Sequence, residues 1–198
     1  NQIEIKDLIL NKADFNIKKD DLDFFIKLLK IEANRDKFII KNSNIFFKNK
    51  NDEVLFLNQI KDGSFYFDFK NLENVFKSKN KIFNVPYELK IENDKLNKEF
   101  LTTFYANKLK LKFENIINYN KQNLDGLFKI NFKNKNNLLN YKIKKNSLNY
   151  FLKDSNKSYE GLVQFKPFYF ESNFTYQSLT FNDLFKNYFF IEIIKSQI

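Results

Sequence analysis

The side chains here that could do chemistry are carboxylates, hydroxyls and lysines, because the chain has no histidine and no cysteine. That composition removes the usual general base at neutral pH, the thiol nucleophile and the soft ligands of transition metals. Asp20, Asp21 and Asp23 crowd together, but they precede an amphipathic run and read as the cap and first turn of a helix. Asp68 and Glu88 fall on the polar sides of extended segments. Two carboxylates could in principle hydrolyse a glycoside, yet nothing in the sequence singles out a pair. Three isolated glycines cannot build a phosphate-cradling loop, and no Ser-x-x-Lys spacing stands in a context that suggests catalysis. The expectation is a non-enzymatic chain with no catalytic, metal or cofactor-binding residue.

The net charge of +10 invites a nucleic-acid reading, which the composition discounts. Lys, Asn, Phe and Ile make up 110 of the 198 residues, while Ala, Gly, Pro and Arg contribute 9. The first group has A/T-rich codons and the second G/C-rich ones, so codon bias accounts for the lysine. Arg35 is the only arginine, whereas base and phosphate recognition favours the bidentate guanidinium. No nucleic-acid partner is expected. The chain lacks methionine and opens on Asn1, which reads as residues 1–198 forming a single segment of a larger or processed protein. No apolar run reaches the ~18 residues of a membrane span. The absence of cysteine suits either the cytoplasm or a periplasm in which folding does not depend on disulfides.

The elements that would position any site are mostly strands with period-two alternation. In "GSFYFDFKN" (63–71), Phe65, Phe67 and Phe69 share one side. In "KIFNVPYELKIE" (81–92), Phe83, Val85, Tyr87, Leu89 and Ile91 do the same. "KLKLKFE" (108–114) sets Leu109, Leu111 and Phe113 against charged residues, and "LFKINFK" (127–133) sets Phe128, Ile130 and Phe132 against Lys129, Asn131 and Lys133. Further strands are expected at 3–10, 37–47, 53–60, 97–105, 138–151, 159–170 and 173–181, about ten in all. Turns come from Asn, Lys and Asp ("NKND", "KSKN", "ENDKLN", "NYNKQN", "KNKNN"), and such short links favour an antiparallel meander. Two short amphipathic helices are expected at 20–34 and 182–197, each covering an edge or end of the sheet. The glycines sit in "DGSF", "DGLF" and "EGLV", read either as three ordinary turns or as one unit used repeatedly.

Each buried Phe, Leu or Ile contributes ~1.5–3 kcal/mol, so so many one-sided strands demand a cover. A second sheet would make a closed β-sandwich, the commoner solution for a β-rich chain. The two helices could cap part of the face. A sheet curled into a trough could instead meet an apolar ligand.

The order of segments resembles the AsmA-like family of Gram-negative envelope proteins. The resembling pieces are "IEIKDLILNKADFNIKKDDLDFFIKLLK", "IIKNSNIFFKNKNDEVLFLNQI", "KIFNVPYELKI" and "EGLVQFKPFYFESNFTYQSLTFNDLF". The A/T-driven composition, "NKIFNVP" and "FKPFY" are most similar to the alphaproteobacterial type. The resemblance implies a mainly β fold, a long antiparallel meander curled into an open, taco-like β-groove. It implies a periplasmic segment of a protein anchored in the inner membrane through a part outside this sequence. It further implies phospholipid movement between the membranes, or support of outer-membrane assembly. Its partners would be acyl chains and neighbouring segments of the same chain. Phe65, Phe67, Phe69, Phe83, Val85, Tyr87, Leu89, Ile91, Leu109, Leu111, Phe113, Phe128, Ile130 and Phe132 would line the groove. The alternative of another class is a closed β-sandwich acting as a structural or protein-interaction module of a large envelope protein.

Overall fold

The computed structural model describes residues 7–18, 21, 37–119, 124–133, 135–154 and 157–176. The helices expected at 20–34 and 182–197 lie outside these residues apart from Asp21, whose carboxylate accepts the Lys18 N–H at 2.8 Å. Among the described residues no α-helix forms, and Asn107–Leu109 make one 3-10 turn. The strands are β1 (Asp7–Asn11), β2 (Asp14–Ile17), β3 (Lys37–Lys48), β4 (Val54–Asp68), β5 (Glu73–Ile82), β6 (Val85–Asp94) and β7 (Glu99–Ala106). They continue with β8 (Leu111–Asn118), β9 (Leu124–Phe132), β10 (Lys135–Lys144), β11 (Ser147–Asp154), β12 (Lys157–Phe165) and β13 (Phe168–Tyr176).

All thirteen belong to one sheet, and from β3 to β13 each pairs antiparallel with its successor. This is the meander that the short polar links call for. β1 and β2 both run parallel to β3, one beside each half of it. The sheet is not closed into a barrel, and a two-sheet sandwich is not what the described strands form.

Turn chemistry follows the Asn/Asp rule. The Asp68 carboxylate accepts the N–H groups of Lys70 (2.9 Å) and Asn71 (3.3 Å), and Asn49 Oδ1 accepts those of Asn51 and Glu53. Several expectations need correcting. Residues 81–92 are not one strand: Phe83 (φ 46°) and Asn84 (φ 61°) form a two-residue hairpin turn, with positive φ at both positions as the twist of paired strands prefers. "KSKN" (77–80) is not a turn but the middle of β5. The three glycines do not mark turns either. Gly63, Gly126 and Gly161 lie inside β4, β9 and β12, and none has positive φ. Strands expected at 138–151 and 159–170 each divide into a hairpin, turning at Lys145–Asn146 and at Lys166–Pro167.

One transverse irregularity crosses the first strands. Lys12 (φ 57°) breaks β1 from β2, Asn42 (φ 48°) interrupts the β3 register, and β4 bulges between Ile60 and Asp62. The Ser43 hydroxyl closes this line, accepting the Ala13 N–H and donating to the Lys41 carbonyl. A hollow of about 640 Å³ lies there, bordered by Asn42, Lys61, Lys79 and Tyr87 among others.

Candidate functional site: a continuous apolar sheet face

Residues directly opposite on neighbouring strands point to the same face, so the register identifies each face without ambiguity. One ladder runs Phe38, Phe65, Phe76, Ile91, Thr102, Asn115, Phe128 and Leu139 across eight strands. A second runs Leu89, Phe104, Phe113 and Ile130. The opposite face carries Lys77, Lys90, Thr103, Glu114 and Lys129 in the equivalent ladder.

Eleven of the fourteen sequence-predicted lining residues share this apolar face: Phe65, Phe67, Val85, Tyr87, Leu89, Ile91, Leu111, Phe113, Phe128, Ile130 and Phe132. Three do not. Phe69 lies beyond the end of β4, in the β4–β5 turn, and Phe83 is in the β5–β6 turn, both well exposed. Leu109 belongs to the 3-10 turn, ahead of the left-handed Lys110 (φ 50°), so the alternation read from 108 begins only at Leu111. The sequence pattern missed Phe76, Phe100 and Phe104, which the register adds to the same face. The usable signal was weak: in β7 "EFLTTFYA" both alternating sets contain apolar residues.

The rings on this face form a row. Tyr87 stacks on Phe104 (centroids 4.9 Å apart), Phe104 on Phe113 (4.6 Å, planes within 4°), and Phe113 meets Phe128 at 5.2 Å. Such contacts are worth ~0.5–1.5 kcal/mol each beyond area burial. The row is mostly but not fully covered. Of the eleven, Val85 alone is buried and the others are intermediate. Ile17, Ile60, Val75, Val85, Ala106 and Tyr141 are the buried apolar residues among those described.

Polar groups on this face are consumed internally. Tyr87 donates to Asn58 Oδ1 (2.9 Å), Tyr119 to Asn93 Oδ1 (2.9 Å), Tyr141 to Asn115 Oδ1 (2.6 Å) and Tyr150 to Ser172 Oγ (2.6 Å). In every case the tyrosine reaches across an intervening strand, so braces of one design tie β4 to β6, β6 to the end of β8, β8 to β10, and β11 to β13. Burial pushes the Tyr87, Tyr119 and Tyr141 hydroxyls above the ordinary phenol range, which keeps them protonated donors. Asn80 donates to Ser78 Oγ at 2.7 Å along β5, and no buried side-chain N or O among the described residues lacks a partner.

The braces explain two glycines. Tyr141 is directly opposite Gly126, and Tyr150 opposite Gly161. A Cβ at Gly126 would fall inside the Tyr141 ring, and one at Gly161 would strike both the Tyr150 ring and the Glu171 carbonyl. Gly63 has no such neighbour, since a Cβ there meets Ile60 Cγ2 at 3.4 Å and Ile40 Cβ at 3.6 Å, near ordinary contact. Two of the three glycines therefore share one setting, a mid-strand position directly opposite a tyrosine ring, rather than a common entry into a strand.

On the polar face, Asp68, Glu73, Asp94 and Glu99 stand directly opposite one another across four strands. Burial, and then the Glu92 carboxylate, raise the Glu73 carboxyl above its ordinary range. Backbone hydrogen bonding from Asn97 holds Asp94 below it. Among the described residues no acidic group is arranged to hold a metal ion, and no helix is long and apolar enough to cross a membrane. The arrangement offers a largely apolar surface whose tyrosine hydroxyls are hydrogen-bonded within the sheet. Compared with protein-family models, curated proteins and solved structures, the chain has no significant match.

Proposed function

We propose that this chain is a non-catalytic lipid-conducting segment whose apolar sheet face holds acyl chains, in the manner of the AsmA-like periplasmic proteins it resembles. One observation carries the reading: a single open sheet with one face rich in large apolar side chains, most of which stay partly accessible. Each strand spacing is ~4.8 Å, so β3 to β13 spans roughly 50 Å, and a ten-residue strand such as β6 runs about 33 Å. Open twisted sheets wider than about ten strands tend to curl. Curling toward the more covered face gives a trough wide enough for acyl chains, with headgroups at its wet mouth. The tyrosine braces suit this use because they keep amide and hydroxyl groups from meeting the guest.

Phospholipid movement between inner and outer membranes, or service to outer-membrane assembly, is the corresponding cellular role, with the rest of the parent chain supplying membrane attachment. The second reading, a structural or protein-interaction module, draws on the polar residues buried in the same face, Ser43, Asn58, Asn74, Ser78, Asn80 and Asn93. Native mass spectrometry of the purified 198-residue chain, with titration of a fluorescent fatty acid, separates the two. Retained phospholipid and saturable uptake are expected. A chain that carries no lipid and leaves the probe in water belongs to the structural class.

A further inference from the structure

We infer that the tip of the β12–β13 hairpin docks on an anionic lipid bilayer. The six residues 165–170 are all exposed, and four are aromatic: Phe165, Phe168 (78 % exposed), Tyr169 and Phe170 (56 %). Phe165 and Phe168 are direct partners, and Phe170 is opposite Val163, so these phenylalanines share the apolar face at its edge. Tyr169 points to the other side, where its hydroxyl donates to Glu171 Oε2 at 3.1 Å. The hairpin thus presents rings on both sides of a thin tip. A flat protein partner would cover one side, whereas a headgroup layer takes in both.

Charge selects the kind of bilayer. Lys166 sits in the turn, and the Phe165 N–H donates to the Asn146 carbonyl at 2.9 Å. That bond seats the β10–β11 turn, with exposed Lys144 and Lys145, against the aromatic tip. Rings that sink to the acyl boundary while ammonium groups stay level with phosphates are the pattern of interfacial anchors. On this hairpin Glu171 keeps its negative charge while accepting from Tyr169, but the three lysines outnumber it, and Glu160 lies farther down opposite Asn173. At the same end of the sheet, strands β4 to β7 carry Asp68, Glu73, Asp94 and Glu99, which keeps contact with an anionic surface to this corner.

The proposal goes beyond the trough reading and stands without it. The test is flotation of the 198-residue chain with vesicles of phosphatidylcholine alone and with a third of phosphatidylglycerol. Binding to the anionic vesicles is expected, and Phe168→Ser with Phe170→Ser should lower the partition coefficient about tenfold or more. Lys144→Gln, Lys145→Gln and Lys166→Gln together should abolish the preference for phosphatidylglycerol. An unchanged urea midpoint establishes that the exposed sites were altered without unfolding, and a Phe165→Ser variant serves if it moves. Vesicle binding by the phenylalanine variants equal to the parent overturns the inference, leaving only non-specific adsorption of a basic chain. So does self-association through the tip with no vesicle binding. Fatty-acid uptake measured on the triple lysine variant, whose substitutions lie off the apolar face, reads the trough separately and should not change.

Discussion

Replacing Gly126 with alanine sets two effects of opposite sign against each other. Glycine inside a strand costs about 0.5–1 kcal/mol relative to alanine, so on backbone grounds the substitution stabilises. Here the new methyl would occupy the Tyr141 ring position. Tyr141 is only 8 % exposed and has little room to move, and shifting it breaks the 2.6 Å bond to Asn115. Overpacking costs about 1–3 kcal/mol, and the lost hydrogen bond adds about 0.5–1.5 kcal/mol. The net is a destabilisation of about 0.5–4 kcal/mol once the alanine gain is subtracted. Gly63→Ala is the internal control, because its methyl fits at 3.4–3.6 Å from Ile60 and Ile40 and should gain about 0.5 kcal/mol. Urea denaturation followed by circular dichroism gives both numbers, provided the slope m is unchanged between variants. If Gly126→Ala proves as stable as Gly63→Ala, the tyrosine brace does not exist as described.

Other perturbations test neighbouring steps. Tyr87→Phe leaves buried Asn58 without its donor and should cost about 1–2 kcal/mol in urea midpoint terms, while adding Asn58→Leu should recover part of it. Glu73→Gln probes the carboxylate ladder. Because the folded-state carboxyl is raised, the parent loses stability as pH climbs through the ordinary glutamate range and is unaffected below it. The variant should therefore exceed the parent by about 0.5 kcal/mol at neutral pH and match it near pH 3, where both states are protonated. Equal pH profiles for the two proteins would remove the ladder from the account.

The meander and its two faces were legible because period-two alternation is a local property of each strand. Phe65 with Phe67, and Phe128 with Ile130 and Phe132, needed no partner to be assigned. The errors fall where parity misleads. The Phe83–Asn84 turn is two residues long, so the alternation read through 81–92 continued smoothly across a reversal of the chain. Leu109 kept the pattern of Leu111 although the backbone there coils before extending. β5 was hidden for a different reason: Ser78 and Asn80 occupy the apolar face, and polar residues at core positions resemble a loop. The braces were out of reach, since each joins residues 22 to 29 apart across a strand that must supply the space.

Photo-crosslinking with a benzophenone amino acid placed in alternate positions asks most directly whether the apolar face meets lipid. Probes at Phe113 and Phe128 occupy the apolar face, and probes at Lys112 and Lys129 occupy the other face of the same two strands. With a radiolabelled phospholipid supplied to the folded chain, adducts should form at 113 and 128 and be absent at 112 and 129. Labelling that ignores the alternation, or none at 113 and 128, would mean that the face packs against protein and carries no lipid.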